Sequence, residues 1–174
     1  EPCEAPRRVE ILERGARVRV EAVAEVSNLR YHIAEREREI MLRRLSLEAS
    51  QTRSASHNDS ISPGNVVRVA LEHEHITEVF LSLGEIGKTA EKVAEEVCEM
   101  YENYMRTDAP VGEFLADQLM VPLALMGGGA YVTGTLSTHS TTNIDVLRKF
   151  GVEVTTQETE MGTRVDVPAV VVGA

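Results

Sequence analysis

The chain has 174 residues, of which 43% are hydrophobic and 26% charged. This composition is typical of one globular domain or of two small ones. No apolar run approaches the roughly 20 residues that a membrane-spanning helix needs, and the charged N-terminus does not resemble a signal peptide. We therefore predict no membrane partner. The chain begins with Glu rather than Met, so we expect a processed protein or a part of a longer one.

The net charge of −10 is unevenly distributed along the chain. Residues 1–53 carry 11 Lys and Arg against 10 Asp and Glu, whereas residues 54–174 carry 7 against 18. Binding to a nucleic-acid backbone is usually driven by a basic surface, and this composition does not provide one. Any positive surface for nucleic acid is therefore local or lies outside this chain.

The cysteine content indicates the redox environment. The chain contains two cysteines, Cys3 and Cys98, which are too few for a disulfide framework or for a zinc site of their own. A reducing, cytoplasmic location is the expectation that follows.

In chain order, the first half predicts a small α+β unit with the element order β-β-α-β-β. Alternating apolar residues over 7–26, interrupted at Gly15, predict two strands joined by a turn. Four further segments are predicted as helix, loop, strand and strand: residues 30–49, 50–65, 66–74 and 76–84.

The second half predicts an α+β unit of another order, α-α-β-α-β-β. Residues 87–108 carry apolar side chains at the i, i+3, i+4 spacing of an amphipathic helix. Later segments are predicted as helix, strand, helix and a closing β-hairpin: residues 112–126, 130–136, 142–150 and two strands about Met161-Gly162. A sheet-forming strand is missing before residue 87. The pattern alone therefore predicts one compact unit at residues 1–84 and a second one from residue 87 onward.

The segment THSTTNIDVL, residues 138–147, combines a histidine with hydroxyl side chains ahead of a predicted helix start. The hydroxyl residues and Asn143 suit caps and turns, whereas a cap needs no imidazole. His139 is therefore either an exposed surface residue or a chemical group. A neutral imidazole is a good nucleophile near pH 7, and a helix N-terminus favours a bound anion such as a phosphate.

Two neighbouring segments are further candidates. EFLADQLMVP places Asp117 and Gln118 in an otherwise apolar helix, where Asp117 either faces water or forms a pocket wall for a ribose, an amine or a metal. The glycines at 127–129 either cradle a phosphate or end a helix. They match neither a Walker loop nor a dinucleotide-binding turn, and we favour the helix end.

Residues 111–150, which read VGEFLADQLMVPLALMGGGAYVTGTLSTHSTTNIDVLRKF, resemble the C-terminal signature of the RNA 3′-terminal phosphate cyclase family. Further similar segments are HIAEREREI (32–40), PGNVVRVALEHEHITEVF (63–80) and GTRVDV (162–167). The resemblance covers most of the chain but corresponds to the C-terminal half of such proteins. It implies that residues 1–86 are an insert domain, and that residues 87–174 continue the α+β repeat which this insert interrupts.

The resemblance implies a ligase that uses ATP and a divalent metal, Mg or Mn, to convert an RNA 3′-phosphate end into a 2′,3′-cyclic phosphate. His139 would be the nucleophile, forming a histidinyl-AMP, and the activated RNA end would be an RNA–pp–A intermediate. The N-terminal half of the cyclase, in the same or a separate chain, is an implied partner.

The same resemblance implies an ATP-binding wall, with Asp117 as the candidate for ribose or metal. Thr142, Asn143 and Phe80 are implied supporting residues. Two positions depart from the family pattern: Phe114 stands where tyrosine is common, and Leu81 stands where the insert domain often offers an aromatic ring to adenine. The residues of the wall are Phe114, Leu115, Ala116, Asp117 and Gln118.

The alternative interpretation is a non-catalytic cyclase-like scaffold or an RNA-processing partner. His139 favours the enzyme, while the absence of the N-terminal half favours the scaffold. We expect the 174-residue chain to be weakly active or inactive without that half.

Overall fold

The structure is a computed structural model that describes residues 7–170. Within these residues the chain forms eight strands, four α-helices and a short 3-10 turn, which confirms the predicted α+β class. The strands are β1 Val9–Ile11, β2 Arg17–Ser27, β3 Thr52–His57, β4 Gly64–His73, β5 Thr77–Leu83, β6 Gly129–Thr133, β7 Thr155–Thr159 and β8 Gly162–Val167. The helices are α1 His32–Arg44, α2 Ala90–Met105, α3 Glu113–Leu125 and α4 Thr138–Lys149. None of the helices in the described range is both long and apolar enough to cross a bilayer.

The chain divides into two compact units. The inner unit comprises Arg17–His73 and Thr77–Arg106, and the terminal unit comprises the described residues 7–16, 74–76 and 107–170. Each unit has its own four-stranded sheet among the described residues and its own buried core.

The sheet of the inner unit has the strand order β3-β2-β4-β5. Strand β2 pairs in parallel with β3, and α1 lies between them in sequence, so these three elements form a β-α-β unit. Strands β4 and β5 continue the sheet in antiparallel register. Met41 of α1 and Val97 of α2 are buried in one apolar cluster with residues of this sheet.

Helix α2 belongs to the inner unit, and this differs from the expected boundary between residues 86 and 87. Its buried side chains Val93, Val97, Cys98 and Tyr101 join the inner core. The division in the structure therefore falls near residue 106, because the apolar stripe of α2 is buried in the inner unit.

The terminal unit contains the sheet β1-β6-β8-β7 with α3 and α4. Strand β1 pairs in parallel with β6, and β8 pairs antiparallel with both β6 and β7. The strand that seemed absent before residue 87 is therefore β1, which lies on the other side of the inner unit in sequence. Tyr131, Met120 and Val165 are fully buried in the core of this unit.

Two predictions for the first half are corrected by the structure. The strands on either side of Gly15 do not form a hairpin, since β1 and β2 belong to different sheets. The segment 50–65, predicted as a loop, contains β3. This strand lies at a sheet edge and most of its side chains are exposed or half-buried, so it lacks the apolar alternation by which strands are predicted.

Gly15 itself is required by its surroundings. Its φ of +71° lies in the left-handed region, and a Cβ at this position would be 2.7 Å from Cβ of Glu74. Any other residue would therefore be strained and would clash.

Candidate functional site

The first turns of α3 and α4 start from the same end of strand β6. Val111 bridges to Thr133 in parallel fashion, and the amide of Val111 donates to the carbonyl of Val132 at 3.1 Å. Helix α3 begins two residues after Val111, and α4 begins five residues after Thr133. Sheet pairing therefore sets the N-terminal ends of both helices near one another.

His139 lies inside the first turn of α4, not ahead of the helix as the prediction of 142–150 had it. Ser137 is the N-cap, and its Oγ accepts a hydrogen bond from the amide of Ser140 at 3.1 Å. This bond satisfies one of the amides that a helix start leaves unpaired. The four residues that the prediction omitted, 138–141, are all poor helix formers, so helix propensity alone does not predict this start.

The side chains of α3 and α4 enclose a cleft of about 210 Å³. Phe114 is 58% exposed there, although an aromatic ring is normally buried, and His139 is exposed as well. The structure thus brings the predicted nucleophile together with three residues of the predicted wall. The lining residues are Glu113, Phe114, Asp117, Gln118, Ser137 and His139.

Asn143 fixes the orientation of Asp117. Its Nδ2 donates to the backbone carbonyl and to Oδ1 of Asp117, both at 3.0 Å. Asn143 lies one helical turn after His139, so a single turn of α4 carries both the histidine and the residue that positions the acid of α3. Of the implied supporting residues, Asn143 therefore has a direct contact with the candidate wall.

The other two members of the predicted wall face away from the cleft. Ala116 is buried and Leu115 packs partly buried against the core of the terminal unit. The hydroxyl of Tyr131 donates to the carbonyl of Ala116 at 2.6 Å. Burial, together with the charge of Asp117, raises the pKa of Tyr131, so its hydroxyl keeps its proton and remains a donor. Of the five residues of the predicted wall, Phe114, Asp117 and Gln118 line the cleft. They follow the i, i+3, i+4 spacing of one helix face.

Thr142 and Phe80 have contacts of a structural kind. The hydroxyl of Thr142 donates to the carbonyl of Thr138 at 2.8 Å, within α4. Phe80 belongs to the inner unit, is 5% exposed, and packs against the rings of Tyr101 and Tyr104 at centroid distances of 6.1 and 5.5 Å. A ring buried in this way has no open face for stacking with adenine.

The charges of the cleft are acidic. Glu113 and Asp117 are among the described lining residues, and none of those lining residues is Lys or Arg. The described part of the chain also contains no group of three or more His, Cys, Asp and Glu residues that could hold a metal ion. The residues present therefore do not make a metal site, and Asp117 would be at most one ligand of an ion held mainly by other groups.

The glycines at 127–129 end helix α3, as we favoured. The amide of Gly128 donates to the carbonyl of Leu123 at 2.8 Å, and Gly128 has a φ of +82°. A Cβ on Gly128 would lie 2.9 Å from backbone atoms of Val167 and Ala169. The run is packed against the chain and is not an open phosphate cradle.

Three features of the site were not predicted from sequence. Glu113 and Ser137 line the cleft, and the Tyr131 hydroxyl bond ties strand β6 to helix α3. Serine is a preferred N-cap residue, and this preference is the sequence signal that Ser137 carries. The hydrogen bond of Tyr131 has no comparable sequence signal, since it joins elements that meet only in the folded unit.

The inner unit matches a known protein family. Residues 12–106 match the family described as RNA 3′-terminal phosphate cyclase (RTC), insert domain. This range contains the whole inner unit, including helix α2, so the inner unit is an insert domain of the cyclase type.

The similarity extends beyond the insert. An RNA 3′-terminal phosphate cyclase of Koribacter versatilis (strain Ellin345) is 39% identical over 150 residues, which cover 86% of this chain and 42% of that protein. The protein of the same name from Ralstonia nicotianae is 40% identical over 140 residues, which cover 80% of this chain and 40% of that protein. The protein of the same name from Salmonella typhimurium is 34% identical over 163 residues, which cover 93% of this chain and 48% of that protein.

The chain belongs to the RNA 3′-terminal phosphate cyclase family. The matched segments amount to 40–48% of the length of these relatives.

Proposed function

We propose that this chain carries the nucleotide-binding and nucleophilic part of an RNA 3′-terminal phosphate cyclase. The observation that supports this most directly is the convergence of His139, Asp117 and Phe114 on one cleft. The identity of 34–40% to proteins of that name supports the same activity. In this proposal the reaction consumes ATP and converts an RNA 3′-phosphate into a 2′,3′-cyclic phosphate.

His139 acts in the first step as the nucleophile. One ring nitrogen attacks the α-phosphorus of ATP, a P–N bond forms, and the bond from that phosphorus to the bridging oxygen breaks, so that pyrophosphate leaves. The exposed position of His139 in the first turn of α4 suits this role, because the helix N-terminus favours the negative charge of the phosphate.

The second and third steps return the histidine unchanged. An oxygen of the RNA 3′-phosphate attacks the adenylyl phosphorus and breaks the P–N bond, giving RNA–pp–A. The neighbouring ribose 2′-hydroxyl then loses its proton and attacks the RNA phosphorus. The cyclic phosphate forms as the P–O bond to AMP breaks and AMP leaves.

Asp117 and Phe114 have distinct roles in holding the nucleotide. The carboxylate of Asp117, oriented by Asn143, accepts hydrogen bonds from ribose hydroxyls. The exposed ring of Phe114 offers a face on which adenine can stack, without the hydroxyl that a tyrosine would add. Gln118 completes this face of α3, and its amide can both donate and accept.

The triphosphate needs positive charge from outside this cleft. With Glu113 and Asp117 as neighbours, a triphosphate would be repelled unless cations compensate. A divalent metal and basic residues of the remaining family architecture would supply this compensation. We therefore propose that the chain alone is weakly active or inactive, and that the N-terminal half completes the site.

Adenylylation of His139 is the decisive test. The chain is incubated with α-³²P-ATP and Mg²⁺ or Mn²⁺, alone and together with the N-terminal half, and the retained label is measured after denaturation. With the N-terminal half present, we expect the wild-type chain to retain an acid-labile label and the His139→Ala variant to retain none. His57→Ala is the matched control, since His57 is an exposed histidine of the inner unit, and it should retain the label.

The same experiment separates the enzyme from the scaffold alternative. Label that appears only with the N-terminal half present indicates a site divided between the two parts. No label in either condition favours a non-catalytic scaffold, which the lack of cations among the described lining residues also favours.

Cys98 is a buried free thiol, in keeping with a reducing compartment, and we propose the cytoplasm as the location.

A further inference from the structure

Helices α3 and α4 carry large apolar side chains that are exposed. On α3 these are Phe114, Val121 and Leu125, which follow the i, i+7, i+11 spacing of one helix face. Val146 of α4 and Phe150 at its C-cap are exposed at the i, i+4 spacing. Leu125 is 62% exposed and Phe150 is 79% exposed. We call these five residues the apolar face.

Helix α3 is apolar on two sides. Its inward side packs Ala116, Met120 and Leu123 into the core of the terminal unit, and its outward side belongs to the apolar face. From residue 119 to residue 125 every side chain is apolar. A surface helix normally has a polar outer side, whereas a helix that is apolar all round is normally buried. Helix α3 therefore has the composition of a helix that is covered on its outer side as well.

The apolar face is continuous with the candidate cleft. Phe114 belongs to both, and Val146 lies two helical turns after His139 on the same side of α4. The hydrogen bond from Asn143 to Asp117 joins the two helices between these positions. The apolar side chains therefore begin at the cleft and extend away from it along neighbouring helices. A partner that covers them also reaches the cleft.

Charge and size indicate which partner fits this face. The cleft contains Glu113 and Asp117 and has no Lys or Arg among its described lining residues, so the proposed reaction needs cations from a partner. A second copy of this chain has the same net charge of −10, and like net charges oppose association. The matched segments are 40–48% of the length of the relatives. More than half of each relative therefore lies outside the match and is large enough to cover the face.

We propose that the apolar face is the docking surface for the N-terminal half of the cyclase. The inference deepens the proposed function and rests on its claim that such a half completes the site. The docked surface is apolar opposite Leu125 and Phe150 and basic opposite the cleft. Large apolar and aromatic side chains at the centre of an interface contribute most of its binding energy, so these two residues should dominate the affinity.

Co-purification tests the docking surface directly. The N-terminal half of the Koribacter versatilis relative, which is 39% identical over the matched segment, is co-expressed with the tagged 174-residue chain. The amount retained with the tag is measured, and the complex is sized by sedimentation. We expect a one-to-one complex with the wild-type chain. A wild-type preparation that lacks the N-terminal half would overturn the proposal.

Single lysine substitutions locate the contact. Leu125→Lys and Phe150→Lys should each lower the co-purified amount about tenfold or more, because the interface would bury an unpaired charge. Both positions are at helix C-terminal ends, where lysine suits the helix dipole. Ile61→Lys is the matched control, since Ile61 is a fully exposed apolar residue between β3 and β4. Urea unfolding checks that each variant is folded, and undiminished co-purification with both folded variants would overturn the assignment.

A second copy is the competing occupant, and sedimentation of the chain alone tests it. We expect a monomer. A dimer that Leu125→Lys dissociates would show that the face covers another copy, and the proposal would be wrong.

The docking surface and the proposed activity can fail separately. His139→Ala should co-purify as the wild type does, because His139 is not part of the apolar face. A complex that depends on Leu125 but gives no adenylylation supports the docking surface and contradicts the activity. Adenylylation that needs the N-terminal half but is unchanged in Leu125→Lys and Phe150→Lys contradicts the docking surface alone.

Discussion

One amide nitrogen of Asn143 bonds both the backbone carbonyl and the carboxylate of Asp117, each at 3.0 Å. The bond to the carbonyl fixes the position of helix α4 against α3, and the bond to Oδ1 fixes the direction of the acid. Because His139 lies on the same helix as Asn143, one contact sets the relative position of the acid and the candidate nucleophile.

Replacement of Asn143 should impair the nucleotide site without removing the nucleophile. In Asn143→Ala, the carboxylate of Asp117 loses the hydrogen bond that fixes its direction. We therefore expect the KM for ATP in adenylylation to rise about tenfold, with a smaller effect on kcat. The measurement is adenylylation of His139 at varied ATP concentration, with the N-terminal half present.

Thr141→Ala is the control for Asn143→Ala, since the hydroxyl of Thr141 donates to the carbonyl of Thr138 within the helix. It should leave the KM unchanged. An equal rise in both variants would mean that general loosening of α4, rather than the contact with Asp117, is responsible.

The N-cap of α4 should contribute measurable stability. Ser137→Ala removes the acceptor for the amide of Ser140, and loss of such a cap costs about 1 kcal/mol. Denaturation in urea should show this decrease in the free energy of unfolding. Thr135→Ala, an exposed change nearby, should alter it by less than about 0.5 kcal/mol, and a similar loss in both variants would contradict the capping role.

The hydroxyl of Tyr131 should stabilise the terminal unit. Tyr131→Phe keeps the buried ring but removes the donor to the carbonyl of Ala116, and loss of one buried hydrogen bond costs about 1 kcal/mol. We expect a lower midpoint of urea unfolding for the terminal unit. Tyr104→Phe in the inner unit is a comparison variant whose effect should leave the terminal unit unchanged.

Glu37 should make the stability of the inner unit depend on pH. Its folded-state pKa is raised from 4.5 to about 7, chiefly by burial, while Arg36 lowers it and Glu91 raises it. Between these values the unfolded chain has released the proton and the folded chain retains it. The folded state therefore loses stability, relative to the unfolded state, as the pH rises from about 4.5 to about 7.

Glu37→Gln removes this dependence. The variant should be more stable than the wild type by about 1 to 3 kcal/mol at pH 8 and by much less at pH 4. Urea unfolding at a series of pH values measures the difference. Glu39→Gln should show no such trend, and a constant offset between Glu37→Gln and wild type at all pH values would contradict the raised pKa.

Local patterns were sufficient to predict most of the helices and strands. The apolar stripe of α2 and the alternation in β4 and β5 are strong periodic signals, and the structure contains each element. His139 and Asp117 were identified from unusual residue types in their segments and from the family resemblance. Their presence in one cleft agrees with that prediction, while their chemical roles stay predictions.

Other features depend on contacts that no local pattern reports. β3 is polar because it lies at an edge, so only its pairing with β2 makes it a strand. The division near residue 106 depends on where α2 packs, and its own sequence shows only that one face is apolar. Phe80 was counted as a supporting residue because it adjoins Leu81, where the family resemblance led us to expect an aromatic ring. In the structure the ring of Phe80 packs against Tyr101.

The short strand β1 has a consequence for how this protein is handled as fragments. Val9 pairs with Gly129, 120 positions further along the chain, so β6 depends on a partner that any truncation after Ile11 would remove. The exposed backbone of β6 would then be free to recruit a strand from another molecule. Preparations of the terminal unit that lack β1 should therefore exchange strands or aggregate, and a β1 peptide supplied in trans should restore monomers.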